Sequence, residues 1–133
     1  MSKVSQKSLG AVVSAQAGYN GGAKTSSAIY VKGYNLLTLQ VVFTRSAGTG
    51  YSINLQGSLD DGSTYGEVQE LDSSSPPTLT SGDALWSMTT SASDNIVWNI
   101  PLNYHYVKIV SDIAGSPNAT ADIITINAQL AVV

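Results

Sequence analysis

The chain has 133 residues, no cysteine, a formal net charge of −3 and only 11% charged side chains. That length accommodates one domain with one core, and the absence of cysteine excludes disulfides and thiolate chemistry and leaves the redox compartment unread. No apolar run approaches the roughly 20 residues of a membrane-spanning helix, and the charged fraction lies far below the roughly 25% of an average domain.

Ser, Thr, Asn and Gly fill the polar positions instead. A surface so poor in charge repels its neighbours little, which suits subunit packing better than life as a free cytosolic enzyme. The few charges are sorted along the chain. Residues 1–59 hold Lys3, Lys7, Lys24, Lys32 and Arg45 and no acid, whereas residues 60–133 hold nine acids against Lys108 alone. Such a division marks an interaction arm or arises by chance among so few charges. Nucleic acid is not an expected partner, because five scattered cations without an arginine cluster make no basic groove.

At the N-terminus, Lys3 and Lys7 are followed by small and polar residues rather than an apolar stretch, so Met1–Leu9 does not read as a signal peptide. A soluble product made in a cytoplasm is expected. Met1–Ser27 is rich in Ser, Ala, Gly, Gln and Lys, its apolar run is Leu9–Val13, and Gly18-Tyr19-Asn20-Gly21-Gly22 signals a loop. Residues 1–27 read as an N-terminal arm with at most one short strand. Such a segment buries too little apolar surface to order by itself and orders on a partner. Lys3, Lys7 and Lys24 are expected to steer that contact, and Leu9, Val12, Val13 and Tyr19 to pack in it.

From Ala28 onward, residues 28–133 read as a β-sandwich domain built from period-two strands. Leu37, Leu39, Val41 and Phe43 share one face of a strand, with Thr38, Gln40 and Thr44 on the other. After Ser46-Ala47-Gly48-Thr49-Gly50, the residues Tyr51, Ile53 and Leu55 alternate with Ser52, Asn54 and Gln56. The two strands read as an antiparallel hairpin. Asp60-Asp61-Gly62-Ser63 is a tight turn, and Tyr65–Leu71 a weaker strand. Pro76-Pro77 marks an irregular crossing loop.

Leu85–Thr89 and Asn95–Ile100 carry Trp86 and Trp98, the latter in phase with Ile96 and Ile100 and so inward-facing. Tyr104–Ser111 and the uncharged final strand Asp122–Val133 complete the set. No stretch has helical apolar spacing. Seven or eight short strands make this an all-β, two-sheet antiparallel sandwich, jelly-roll or immunoglobulin-like. The apolar final strand is expected to be covered in part by another subunit.

Candidate chemistry does not assemble. His105 is the sole histidine and no cysteine exists, so a zinc set is out of reach. There is no G-x-S-x-G nucleophile elbow. Asp60 and Asp61, with Asp72 or Asp83, lack the spacing of a calcium loop and read as turn residues. Glu67 and Glu70 on one short strand form no glycosidase cleft. No Gly-rich phosphate motif is present. Asn118-Ala119-Thr120 fits a glycosylation acceptor that is idle without secretion. The expectation is a non-enzyme with no cofactor and no metal. Trp86, Trp98 and the seven tyrosines serve core and subunit packing or, on an exposed face, stack on sugar rings.

Tyr51–Gln56 runs into Gly57-Ser58, then Asp60-Asp61-Gly62-Ser63-Thr64-Tyr65 and Gly66-Glu67-Val68, with Tyr104–Ile109 and a long last strand further on. Over roughly residues 36–133 this pattern resembles the β-sandwich head decoration (cement) proteins and related minor virion proteins of tailed phages. The resemblance implies a protein of the virion, on the capsid exterior, that associates with itself as a homotrimer. It implies binding to the major capsid protein lattice, where it locks neighbouring coat subunits, with no catalytic residues. Two other readings stand beside it: a carbohydrate-binding or adhesion sandwich, and a phage tail or baseplate component.

Overall fold

The computed structural model describes residues 5–68 and 86–133. They form ten strands and one short 3-10 turn. The strands are β1 (Ser5–Gln16), β2 (Lys24–Thr25), β3 (Ile29–Tyr30), β4 (Leu36–Thr44) and β5 (Gly48–Ser58), then β6 (Gly66–Glu67), β7 (Trp86–Thr89), β8 (Asp94–Pro101), β9 (Tyr106–Gly115) and β10 (Ile123–Val132); the turn is Tyr19–Gly21. Among the described residues there is no α-helix.

Among the described residues every pairing is antiparallel. One sheet runs β1-β10-β4-β8 and the other β2-β9-β5-β6. In the second sheet β2 and β3 pair with successive parts of β9, and β6 and β7 with successive parts of β5. Each sheet is therefore four strands wide, and in the second the two outer columns are broken into short pieces. Chain succession that leads from sheet to sheet in this order is the jelly-roll arrangement, which decides between the two sandwiches the sequence allowed.

Alternation fixes which side faces in. Leu37, Leu39, Val41 and Phe43 of β4, Ile53 and Leu55 of β5, Val107 and Ile109 of β9, and Ile124, Ile126 and Leu130 of β10 are all buried. Phe43 and Tyr51 pack ring against ring across the two sheets at 5.1 Å. Ile100 is buried as expected. Ile96 and Trp98 lie against the core only half-buried, because β8 is the outermost described strand of its sheet and neighbours cover it on one side.

Three expectations are corrected. β4 and β5 are not a hairpin: they lie in different sheets, β4 between β10 and β8 and β5 beside β9. The chain crosses the sandwich at Arg45–Ala47, where the buried Asp122 carboxylate accepts the backbone N–H of Ser46, Ala47 and Gly48. Those donors would otherwise need a hairpin ladder. Second, the early segment holds more than one short strand. β1 is twelve residues long and follows β10 from Ser5↔Val132 to Gln16↔Ile124, with irregular register near Gly10 and Ala15, both at positive φ. Third, the final strand is not an edge. β10 lies between β1 and β4, so the chain's own N-terminal strand covers the side for which another subunit was expected.

Candidate interaction surface

Among the described residues, Asp122 and Asp60 are engaged in holding loops. Asp122, fully buried, accepts from Ser46 N at 2.6 Å, Gly48 N at 3.1 Å and Asn118 N at 2.6 Å, with Ala47 N shared between its two oxygens. Burial works to raise its pKa, but the backbone donors of Ser46, Ala47, Asn118 and Gly48 outweigh that and hold it at about 2. Asp60 is likewise lowered to about 2, by the Ser58 hydroxyl first and then by Thr64. Its oxygen accepts the Thr64 N–H at 2.8 Å and closes the turn in which Asp61 and Gly62 take positive φ.

His105 Nδ1 meets Asp61 Oδ1 at 2.9 Å near the surface, while its backbone carbonyl accepts from Val31 and Lys32. The Tyr19 hydroxyl and Ser111 Oγ form a buried pair at 2.7 Å. Burial raises the Tyr19 pKa first, with the Ser111 hydrogen bond opposing it. Glu67 accepts from Asn54 Nδ2. Asn118 Oδ1 accepts from Thr120 and Ala121, so the sequon is a self-bonded turn. Among the described residues no three His, Cys, Asp or Glu side chains gather to hold a metal. Glu70, Asp72, Asp83 and the side chain of Trp86 lie outside the described residues.

The residues expected to meet a partner are dispersed. Lys7 is exposed on β1 and Lys24 half-buried on β2, whereas Leu9 and Val12 pack against the core and Val13 and Tyr19 are buried in it. Their apolar surface is taken up by the chain's own interior. Lys3 lies outside the described residues.

What the fold assembles instead is a continuous uncharged face. Outward positions of the β1-β10-β4-β8 sheet follow from its register. One row across the strands is Ser8, Gln129, Thr38 and Asn99, and the next is Ala11, Asn127, Gln40 and Val97. The Thr38 hydroxyl donates to Asn99 Oδ1 at 2.7 Å and Asn127 Nδ2 to Gln40 Oε1 at 3.3 Å, which stiffens the surface laterally. Val97 is 62% exposed, and Thr125, Val42 and Asn95 continue the pattern. No charged side chain interrupts these rows. A shallow hollow of about 380 Å³ opens among Ser8, Thr38, Gln40 and Asn127. Uncharged strand positions were legible one by one in the sequence; their alignment on one face needed the register.

No protein-family model matches the chain, and no curated protein does. Among solved structures, the crystal structure of the SPBc2 prophage-derived protein YomS has the same fold. It matches with a TM-score of 0.53 and 11% sequence identity, over 98% of this chain and 96% of that one.

Proposed function

We propose that this protein is a non-enzymatic structural component of a phage virion, made in the host cytoplasm. In this reading it decorates the capsid exterior and stabilises it by bridging coat subunits. The observation that carries the reading is the uncharged outer face of the β1-β10-β4-β8 sheet. A rigid surface of amides, hydroxyls and an exposed valine can be laid against a large partner without desolvating an ion, the costliest step in covering a surface. The whole-length fold match to a prophage-derived protein supports the phage setting. Jelly rolls recur in viral capsid proteins, although a fold alone defines no function. Self-association, as a homotrimer, belongs to the same reading.

The test is mass spectrometry and cryo-electron microscopy of purified particles from a host carrying the gene. Many copies per capsid are expected. Particles lacking the gene should lose heat resistance and regain it when purified protein is added. Absence from particles overturns the reading, and density at the tail favours a tail or baseplate component.

A carbohydrate-binding module is the second reading. It is favoured by Tyr30, 50% exposed and set edge-to-face with Tyr106 at 5.1 Å on the opposite sheet, where Lys108 lies 4.1 Å over the Tyr65 ring. Aromatic faces of this kind stack on sugars. A glycan-binding screen of the wild type and Tyr30→Ala decides it.

A further inference from the structure

Three connections meet at one end of the sandwich: residues 31–35 between β3 and β4, residues 59–65 between β5 and β6, and residues 102–105 between β8 and β9. Backbone hydrogen bonds fix them to one another. Val31 N and Lys32 N donate to the His105 carbonyl at 2.8 and 3.1 Å, His105 N donates to the Ser58 carbonyl at 2.8 Å, and Leu102 N donates to the Asn35 carbonyl at 3.0 Å. Loops held in this way by a rigid scaffold are where binding residues concentrate.

Between the three connections lies a hollow of about 370 Å³, within the size range of small-ligand sites. Leu102, buried, and Leu59, 66% exposed, supply apolar lining. Tyr104 is seated firmly, its ring so close over Gly57 that a Cβ there would lie 2.7 Å from Tyr104 Cδ1. The polar groups around the hollow are unspent. Among the described residues, the side chains of Lys32, Tyr34, Asn103 and Tyr104 make no hydrogen bond or ion pair. Asp61 is bound to His105 Nδ1 at 2.9 Å and Asp60 to Thr64 N at 2.8 Å, so neither acid of the neighbouring turn neutralises Lys32.

We propose that this hollow binds one sugar unit carrying a carboxylate, a uronic or sialic acid of a surface polysaccharide. The number of polar heads decides the class. Two phenol hydroxyls, an amide and an ammonium around one small space match a ring bearing several hydroxyls. An apolar peptide side chain would cover the same groups and leave them unpaired, which is costly. Tyr104 and the two leucines offer surface to the C–H face of the ring, and the Lys32 ammonium selects the acidic ring over a neutral one. The site goes beyond both readings of function, because it requires no capsid and Tyr30 and Tyr106 are not among its lining residues.

The experiment is a two-dimensional amide NMR titration of the full chain with galacturonate and mannuronate trisaccharides and with sialyllactose, beside maltotriose and acetate as controls. Saturable shifts at residues 32–35, 59 and 102–105 are expected with at least one acidic sugar. Maltotriose should bind about tenfold more weakly, the difference a charge-assisted hydrogen bond commonly makes. Lys32→Gln should remove that preference and Asn103→Ala should weaken both sugars. Both residues are exposed, and the spectrum itself reports whether each variant is folded. Tyr30→Ala should bind as the wild type does.

No saturable shift with any acidic sugar overturns the proposal. So do equal affinities for maltotriose and the acidic sugars, or an affinity that Lys32→Gln leaves unchanged. The same shifts with acetate would mean an adventitious ion only, and shifts centred on Tyr30 and Tyr106 would place the sugar elsewhere; either result sinks the site. Failure here leaves the virion test and the Tyr30 test standing, since neither uses these residues.

Discussion

Asp122 and Ser46 stand 76 positions apart in the chain and 2.6 Å apart in space, the Asp122 carboxylate accepting the Ser46 backbone N–H. With Ala47, Gly48 and Asn118 donating to the same group, one side chain joins the β4–β5 crossing to the loop before β10. Asp122→Ala would strip four backbone donors of their acceptor, and the contacts of Ser46, Ala47 and Asn118 among them are only part-buried. An unsatisfied buried donor costs roughly 1–3 kcal/mol. Partial access by water discounts the sum, so a loss on the order of 3 kcal/mol is expected. Urea unfolding of wild type and variant measures it. A change under about 0.5 kcal/mol, the scale of an ordinary surface substitution, would show that solvent replaces the carboxylate.

The same carboxylate gives the protein an acid limit. Its pKa falls from an ordinary 3.8 to about 2 on folding. A depressed carboxyl contributes stability that is whole above the unfolded value and lost as pH falls through the folded one. The loss should therefore run from about pH 4 down to about pH 2. Asp60, lowered in the same direction, adds to the slope from its exposed turn. Melting temperatures of wild type and Asp122→Asn across that window should converge as pH falls, because the variant has less to lose. Parallel curves would assign the acid response elsewhere.

Strand faces were legible where burial is one-sided, and partners were not. Leu37, Leu39, Val41 and Phe43 announce β4 because the period-two pattern records which residues face the core. The pattern says nothing about which strand lies alongside, and a loop of five small residues looks like a hairpin until an aspartate 76 positions away closes it differently. β1 left almost no trace for a related reason. As an edge strand it is exposed over most of its length, with Val13 its one buried position, so no alternation was there to read. β2 and β3, two residues each, fall below any periodic window. The uncharged face was visible only as low charge overall, since register aligns Ser8 with Asn99 across three strand boundaries.

β1 should be part of the folding unit. Removing residues 2–19 would expose the β10 edge and take Val13 and Tyr19 out of the core. The truncated chain is expected to lose its cooperative thermal transition. Tyr19→Phe is the milder probe: it keeps the ring but leaves Ser111 Oγ, 1% exposed, without the Tyr19 partner. A cost of about 1–2 kcal/mol is expected. A truncated protein that melts like the wild type would make the segment a dispensable arm after all.

Gly50 and Gly66 should respond very differently to the same substitution. A Cβ on Gly50 would collide with the Met88 carbonyl oxygen of β7, whereas one on Gly66 meets nothing within 4 Å. Gly50→Ala must push β7 away from β5, with a cost of about 1–3 kcal/mol typical of overpacking. Gly66→Ala should stay within about 0.5 kcal/mol of wild type. Chemical denaturation of the pair checks this, and equal effects would mean that β7 yields freely.

The uncharged sheet face can be tested without disturbing the fold. Gln40 and Val97 are exposed neighbours across the β4–β8 pairing, and neither reaches the core. Gln40→Glu with Val97→Glu places two like charges side by side in the middle of the face. In the free protein they are solvated, so the melting temperature should change little, the pair repelling by a fraction of a kcal/mol as like charges opposite one another do. Against a partner surface each charge must shed its water, a penalty of several kcal/mol per unpaired ion. Binding to gene-deleted capsid particles, measured by co-sedimentation, should fall by at least about a hundredfold. Undiminished binding would move the docking surface off this sheet, and the opposite face with Tyr30 and Tyr106 would then be the next to alter.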